Sequence, residues 1–211
     1  MSSLKKIIAA VMVAAGLCGC EKKSISSPEL YVSFKADGSA RELRIDGSQT
    51  VFYTTKHTST ICMPDSAQAE YGCDYQLYSG SNLSQDVIIY FYLSDSKNNL
   101  AQYNGLYYYE DLEYVSARLA EAPLNYLRSN CASTLGVGLY YYDSGIFYRS
   151  NFTANSDSSF FRVTRSEIIE HPTFGTSILL EGLFECKVRS LTGDSVVITE
   201  GRFSGVIDNL P

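Results

Sequence analysis

Tryptophan is absent from this chain of 211 residues, and histidine occurs only twice, at His57 and His171. The two histidines lie far apart in polar or turn-like segments, and neither belongs to a metal-binding spacing. The sequence also lacks a P-loop, a dinucleotide-binding fingerprint, a G-x-S-x-G elbow and an H-E-x-x-H motif. We therefore expect no cofactor, no metal site and no catalytic residue, and we interpret the chain as a protein that is not an enzyme.

Positive charge is scarce as well. Lysine and arginine together number 17, against 23 aspartates and glutamates. Binding to a nucleic acid relies on clustered basic residues that displace counterions from the phosphate backbone, and the sequence has no basic stripe of that kind. We expect no nucleic-acid partner.

Long hydrophobic runs are missing too. The apolar run near the start, residues 7–17, is shorter than the about 20 residues that a membrane-spanning helix needs. It follows Lys5 and Lys6 and ends in residues 17–20, which read Leu-Cys-Gly-Cys. A basic start, a short apolar stretch and small residues before a cleavage point are typical of a secretory signal peptide.

Residues 17–20 resemble a bacterial lipobox, with an aliphatic residue at −3, glycine at −1 and Cys20 as the acylated cysteine. The resemblance implies a lipoprotein signal peptide at residues 1–19, an N-acyl diglyceride cysteine carrying palmitate-like chains, and a lipidated tether at residues 20–29. One acyl chain binds a membrane only marginally, whereas the three chains usual in such lipoproteins would hold it stably. The alternative, a C-x-C disulfide or metal site, lacks a partner cluster nearby.

Four cysteines are left for the folded domain once Cys18 is cleaved off and Cys20 is acylated: Cys62, Cys73, Cys131 and Cys186. An even number in an exported chain predicts two disulfides. Proximity favours the pair Cys62–Cys73 and leaves Cys131–Cys186, although three connectivities are open. Free buried thiols are the alternative.

Short strand-like runs recur between glycine, asparagine, aspartate and serine punctuation over residues 30–211, which we expect to form one domain. The candidate strands are residues 30–34, 41–45, 51–55, 87–93, 106–109, 138–142, 146–152, 160–164, 178–188 and 195–203. One helical pattern occurs around residues 111–121, where Leu112, Val115 and Leu119 share a face. A strand is the alternative for this segment, because strands rich in phenylalanine and tyrosine flank it. The sequence therefore predicts an all-β fold, a single antiparallel β-sandwich or barrel-like domain with one short helix.

The last two candidate strands carry the clearest pattern. Leu180, Gly182, Phe184, Cys186 and Val188 alternate with charged residues, and a turn at residues 191–194 leads into the final strand. This hairpin, with its G-x-F strand and its I-T-x-G-x-F ending, resembles the end of a Bacteroidota lipoprotein family of unknown function. The resemblance implies an all-β extracytoplasmic domain and brings no catalytic residues with it.

Tyrosine is abundant, with 17 occurrences that include triplets at residues 107–109 and 140–142. Three consecutive tyrosines on a strand cannot all face the same way. An exposed tyrosine offers an apolar ring with a polar tip, which suits sugar stacking or protein contacts. We therefore predict a binding surface at the middle residues, Tyr108 and Tyr141. The alternative is that tyrosine is simply a favoured strand residue.

These observations together predict a lipid-anchored outer-membrane lipoprotein whose domain is a non-enzymatic binding or envelope-accessory module. Its expected partners are the membrane, through the anchor, and a protein or glycan. The orientation, towards the periplasm or on the cell surface, stays open. The alternative function is a small hydrolase that acts on envelope or polysaccharide substrates, which rests only on location and surplus acidic residues.

Overall fold

The computed structural model describes residues 27–45, 51–121, 123–126, 135–150 and 159–208. The predicted signal peptide, Cys20 and most of the predicted tether lie outside the described residues, as does Cys131. Strands make up most of the described chain, and the helix predicted around residues 111–121 is present as α1 (Leu112–Ala120). The predicted all-β class with one short helix is confirmed.

Twelve strands are found in the described residues: β1 (Tyr31–Ala36), β2 (Ser39–Arg44), β3 (Val51–Met63), β4 (Ser66–Ser79), β5 (Asn82–Ser96), β6 (Ala101–Tyr103), β7 (Leu106–Tyr108), β8 (Leu135–Asp143), β9 (Ile146–Ser150), β10 (Phe160–His171), β11 (Gly175–Ser190) and β12 (Ser195–Asp208). A 3₁₀ turn, Lys97–Asn99, follows β5.

Ten of the described strands form one antiparallel sheet, in the order β2-β1-β12-β11-β9-β8-β5-β4-β3. The tenth, β10, pairs with the same edge of β11 that β9 occupies nearer the end of that strand. The strands β6 and β7 form a separate small hairpin. Because most neighbours in the sheet are consecutive in the chain, short hairpins make most of the connections.

The sheet folds over so that β3 and β4 pack against β12. Tyr75 donates a hydrogen bond from its hydroxyl to the Ser204 carbonyl oxygen, at 2.8 Å, and Thr55 donates to Asp208 Oδ2, also at 2.8 Å. The Tyr53 hydroxyl accepts a hydrogen bond from the Val206 amide at 2.6 Å and donates to the Val206 carbonyl oxygen. The result is a sandwich-like domain with two facing layers.

Aromatic rings fill the centre between the layers. Phe91, Phe161, Phe184 and Phe203 are fully buried, and the rings of Phe161 and Phe203 lie 5.4 Å apart. Such rings remove a large apolar area from water and add a favourable ring–ring geometry. They come from β5, β10, β11 and β12, so this cluster ties both layers together.

The C-terminal hairpin β11–β12 explains the glycine–phenylalanine pattern seen in the sequence. Gly182 lies directly opposite Phe203, and Phe184 lies directly opposite Gly201. A Cβ atom added to Gly182 would lie 2.4 Å from Phe203 Cε1, and one added to Gly201 would lie 2.5 Å from the Phe184 carbonyl oxygen. The two glycines therefore make room for two core rings, one on each strand. The predicted inward face of β11, Gly182, Phe184 and Cys186 among it, is buried as expected.

Helix α1 begins at a capping aspartate, Asp111, which accepts a hydrogen bond from the Tyr114 amide at 3.0 Å. Val115 and Leu119 are buried, as their spacing predicts. The Ser116 and Ser166 hydroxyl groups lie 2.6 Å apart, so the helix packs on β10. The helix thereby covers part of the sheet.

The sequence patterns missed the strand β4 (Ser66–Ser79) and the short strand β6. In β4 one face carries small or aromatic core residues and the other carries Glu70, Gly72 and Asp74. Aspartate and glycine are depleted in strands, which hid a central strand of the sheet.

The predicted disulfide Cys62–Cys73, and with it Cys131–Cys186, is wrong, because Cys73 and Cys186 are free, buried thiols. The β3–β4 hairpin places Cys73 opposite Thr55, seven residues along β3 from Cys62. The Cys73 thiol points into the core and lies 3.8 Å from the Val206 carbonyl oxygen. Cys62 is disulfide-bonded, and neither of these two thiols is its partner.

Candidate functional site

The two tyrosines predicted from the triplets have different surroundings. Tyr141 is 1% exposed; its ring meets Phe34 edge-on at 5.3 Å and its hydroxyl donates to Asp143 Oδ2 at 2.8 Å. The prediction that Tyr141 lies on a binding surface is therefore wrong, because the middle position of this triplet is the inward one. Tyr108 is half-buried, and its ring packs edge-on against His57 at 6.2 Å. A binding role for Tyr108 stays a prediction.

The flanking residues of the second triplet face outward. Tyr140 and Tyr142 lie on the outer side of β8, and the ring of Tyr140 meets the rings of Tyr90 at 5.4 Å and Phe147 at 5.7 Å. The rings of Tyr90 and Tyr92 are stacked at 6.2 Å. We call the side chains of Tyr90, Tyr92, Tyr140, Tyr142 and Phe147 the outer tyrosine face; Tyr92 is its buried member, at 1% exposed.

Strand register brings these rings together. Asp86 of β5 pairs with Tyr142 of β8, which pairs with Phe147 of β9. Two residues further along β5, Ile88 pairs with Tyr140 of β8. Because alternate residues of a strand share a face, Tyr90 and Tyr92 follow Ile88 on the same side. Three neighbouring strands therefore place aromatic side chains on the same side of the sheet.

Two glycines leave room for the rings of the outer tyrosine face. Gly138 lies opposite Tyr90, and a Cβ atom added there would lie 2.5 Å from the Tyr92 hydroxyl oxygen. A Cβ atom added to Gly72, which also lies opposite Tyr90, would lie 3.0 Å from Tyr90 Cε1. The hydroxyl oxygens of Tyr92 and Tyr140 lie 3.3 Å apart. The face thus combines ring surface with hydroxyl groups at its edges.

A charged cluster adjoins the rings on the same side of the sheet. Lys56 of β3 forms an ion pair with Asp74 of β4, with Nζ 2.8 Å from Oδ2, and the Asp74 side chain is 0% exposed. The neighbouring strand β5 contributes a second carboxyl group, that of Asp86. Burial together with the neighbouring Asp74 raises the pKa of Asp86 to about 8. A strongly shifted pKa that has a specific charge partner marks a candidate functional region.

Sequence reasoning missed Asp74 and Asp86. Both stand beside strand-forming residues, with Tyr75 after Asp74 and Val87 after Asp86. An aspartate inside a strand is uncommon, and that feature could have drawn attention to the pair. Their meeting depends on the pairing of β4 with β5, and β4 was not among the predicted strands.

Two cavities lie elsewhere on the described surface. One groove of about 740 Å³ runs along β1, β2 and β12 and includes Phe160, Leu183 and Arg202. The other, of about 580 Å³, lies beside α1 and is lined in part by Asp95 and Asp111. Within the described ranges, no group of three or more histidine, cysteine or acidic side chains could hold a metal ion.

Asp74 and Cys73 are withdrawn from solvent, and His57 is half-buried. Asp74 is fully buried, and neither cavity is lined by Asp74 or Asp86. Burial raises the pKa of the Cys73 thiol to about 12, which is the opposite of an activated thiol. His57 stacks on the buried ring of Tyr71 at 5.1 Å, and burial lowers the pKa of His57. Nδ1 of His171 accepts a hydrogen bond from the backbone amide of Thr173, at 3.2 Å, within a turn.

Neither a protein-family model, nor a curated protein, nor a solved structure matches the chain. The resemblance to Bacteroidota lipoproteins thus stays a prediction from the sequence. In the part of the chain that the structure describes, no helix has the length and apolar character needed to cross a membrane.

Proposed function

We propose that the chain is a lipid-anchored envelope protein whose β-sandwich binds a neutral glycan through the outer tyrosine face. The observation that carries the proposal is the ring contact of Tyr90, Tyr140 and Phe147 across β5, β8 and β9. Phe147 is 43% exposed and Tyr90 and Tyr140 are half-buried, so a ligand can reach these rings.

A sugar suits this surface better than an apolar protein segment does. The rings alternate with hydroxyl groups and with polar side chains of β3 and β4, and Glu70 accepts hydrogen bonds from Thr58 and Thr60 at 2.8 Å each. A sugar ring offers an apolar face that stacks on an aromatic ring and hydroxyl groups that exchange hydrogen bonds at its rim. The formal net charge of −6 disfavours acidic polysaccharides.

The lipid anchor in this proposal is supported by the sequence of residues 17–20, in which Cys20 follows glycine as the acylated residue. A polar stretch then separates the anchor from β1 (Tyr31–Ala36). Mass spectrometry of the purified protein tests this part. We expect a mass that starts at Cys20 and includes acyl chains, and we expect Cys20→Ser to abolish both; an unacylated wild-type protein would contradict the anchor.

Glycan binding is tested with the full-length lipoprotein in detergent, by calorimetry against a neutral glucan, a neutral mannan and polygalacturonate. We expect at least one neutral polymer to bind, and we expect Tyr140→Ala to weaken that binding by about tenfold, which corresponds to the loss of one ring contact. Tyr103→Ala is the matched control, because Tyr103 is a tyrosine of β6 that is 53% exposed and lies away from the face. Equal loss in both variants, or no binding by the wild type, would refute the proposal.

A further inference from the structure

Two carboxyl oxygens on the outer side of the sheet are buried without a hydrogen-bond donor. They are Asp74 Oδ1 and Asp86 Oδ1. Asp74 pairs with Ile88 and Asp86 pairs with Gln76, so the two aspartates are diagonal neighbours on β4 and β5. A buried oxygen without a donor costs free energy, and two such oxygens on adjacent carboxyl groups point to a missing hydrogen between them.

The two aspartates differ in the hydrogen-bond donors around them. The other oxygen of Asp74, Oδ2, lies 2.8 Å from Lys56 Nζ, accepts a hydrogen bond from Gln76 Nε2 at 2.8 Å and accepts another from the Thr54 hydroxyl at 3.2 Å. Three groups therefore contact Oδ2 of Asp74, whereas Oδ1 has no donor. Asp86 has no comparable set of donors among the described residues, and its charged form is disfavoured by burial and by the Asp74 charge.

We propose that Asp74 and Asp86 share one proton at neutral pH, with Asp86 as its carrier, and that this proton joins β4 to β5 beside the outer tyrosine face. The Asp86 carboxyl donates its hydrogen to Asp74, while Lys56 balances the remaining negative charge. This proton site goes beyond glycan binding and does not depend on it.

Other groups around Asp86 fit a neutral carboxyl. From β3 the charged neighbour is Lys56, and from β4 it is Asp74. Within β5, Tyr90 follows on the same face, and from β8 the opposite residue is Tyr142. Burial raises the pKa of the Tyr90 phenol above its ordinary value, so Tyr90 adds no charge at neutral pH. Lys56 is therefore the cation of this cluster, and its Nζ is already within 2.8 Å of Asp74.

The direct test is a carbon NMR titration of the full-length protein with labelled aspartate carboxyl groups. We expect one aspartate to titrate with a midpoint near 8 instead of the value of about 3.9 that is usual for aspartate, and we expect this signal to disappear in Asp86→Asn. Glu70→Gln is the matched control, because Glu70 lies on the same face of β4 and should leave that midpoint unchanged. An Asp86 signal that titrates near its ordinary value would overturn the proposal.

A second measurement keeps the test valid if the variant folds poorly. The wild-type protein at pH 7 should show the infrared carbonyl band of a neutral carboxylic acid, and that band should be lost on raising the pH through about 8. A fully ionised pair together with one bound metal ion per chain, found by elemental analysis, would show that a cation occupies the position and would refute the shared proton.

Discussion

The hairpins β4–β5 and β11–β12 both place a glycine opposite an aromatic residue. The ring lies on the outer side of the sheet in β4–β5 and in the core in β11–β12. In β11–β12, Gly182 faces Phe203 and both lie in the core. In β4–β5, Gly72 faces Tyr90, and the ring lies on the outer side of the sheet. A ring placed inward contributes to stability through burial, whereas the half-buried ring of Tyr90 on the outer side keeps part of its surface in contact with solvent.

This difference predicts that matched substitutions separate stability from binding. The largest effect should come from Gly201→Ala. The added Cβ would meet the Phe184 carbonyl oxygen at 2.5 Å and the Phe184 ring at 2.6 Å, and backbone cannot move aside as a side chain can. We expect the free energy of unfolding to fall by about 3 kcal/mol, as overpacking in a core does. Urea denaturation measures it; a loss below about 1 kcal/mol would contradict the tight core packing.

A smaller loss of stability should follow Tyr75→Phe. The Tyr75 hydroxyl is buried and donates to the Ser204 carbonyl oxygen, which joins the two layers. Its removal takes this donor away from a buried carbonyl oxygen, so we expect a loss of about 1–2 kcal/mol in urea denaturation. Tyr78→Phe is the control, because Tyr78 lies on the outer side of β4 and its hydroxyl donates to the nearby Gln76. Equal losses would mean that the hydrogen bond between the layers stabilises the protein no more than the hydrogen bond from Tyr78 to Gln76.

Stability should also depend on pH through Asp86. Its pKa is raised to about 8 in the folded protein and is about 3.9 in an unfolded chain. The folded state therefore holds a proton that the unfolded state has lost between these values, so this contribution is complete below about pH 4 and is lost as the pH rises to about 8. We expect wild-type stability to decline over this range relative to Asp86→Asn. Parallel profiles would contradict the shifted pKa.

Gly72→Ala should affect stability least and binding most. The added Cβ would meet Tyr90 Cε1 at 3.0 Å and Lys56 Cβ at 3.1 Å, contacts that small shifts of these side chains can relieve. We expect a stability change of about 1 kcal/mol or less, together with a severalfold loss of glycan affinity in calorimetry. A stability loss as large as that of Gly201→Ala would show that the outer tyrosine face is packed as tightly as the core.

The thiols provide a comparison that needs no substitution. Cys73 and Cys186 are buried and burial raises the pKa of each to about 12, so we expect neither to react with an alkylating reagent until the protein unfolds. Cys131 is then the remaining candidate partner for Cys62, because Cys18 and Cys20 are expected to be cleaved off or acylated. Non-reducing peptide mapping should recover Cys62 linked to Cys131; a Cys62–Cys73 peptide would contradict the burial of Cys73.

Local patterns predicted much of the fold. The alternation in β11 and the spacing of Val115 and Leu119 were enough to place a hairpin and a helix correctly, because each depends on residues close in sequence. The candidate site was not predictable in the same way. Alternation divides residues 140–142 into two faces without saying which is inward, so Tyr141 was assigned to the wrong side. Asp74 and Asp86 meet only through a strand pairing that their polar character concealed.

The contact between Tyr53 and Val206 has a further consequence for the solubility of the protein. The strand β1 pairs with β12 only up to Ser204, and no described strand continues the pairing on that edge. An exposed backbone edge of this kind can pair with a strand of another chain. The Tyr53 hydroxyl accepts a hydrogen bond from the Val206 amide and donates one to the Val206 carbonyl oxygen. One side chain therefore satisfies the two backbone groups that a neighbouring strand would otherwise pair. At that position the protein is guarded against edge-to-edge aggregation.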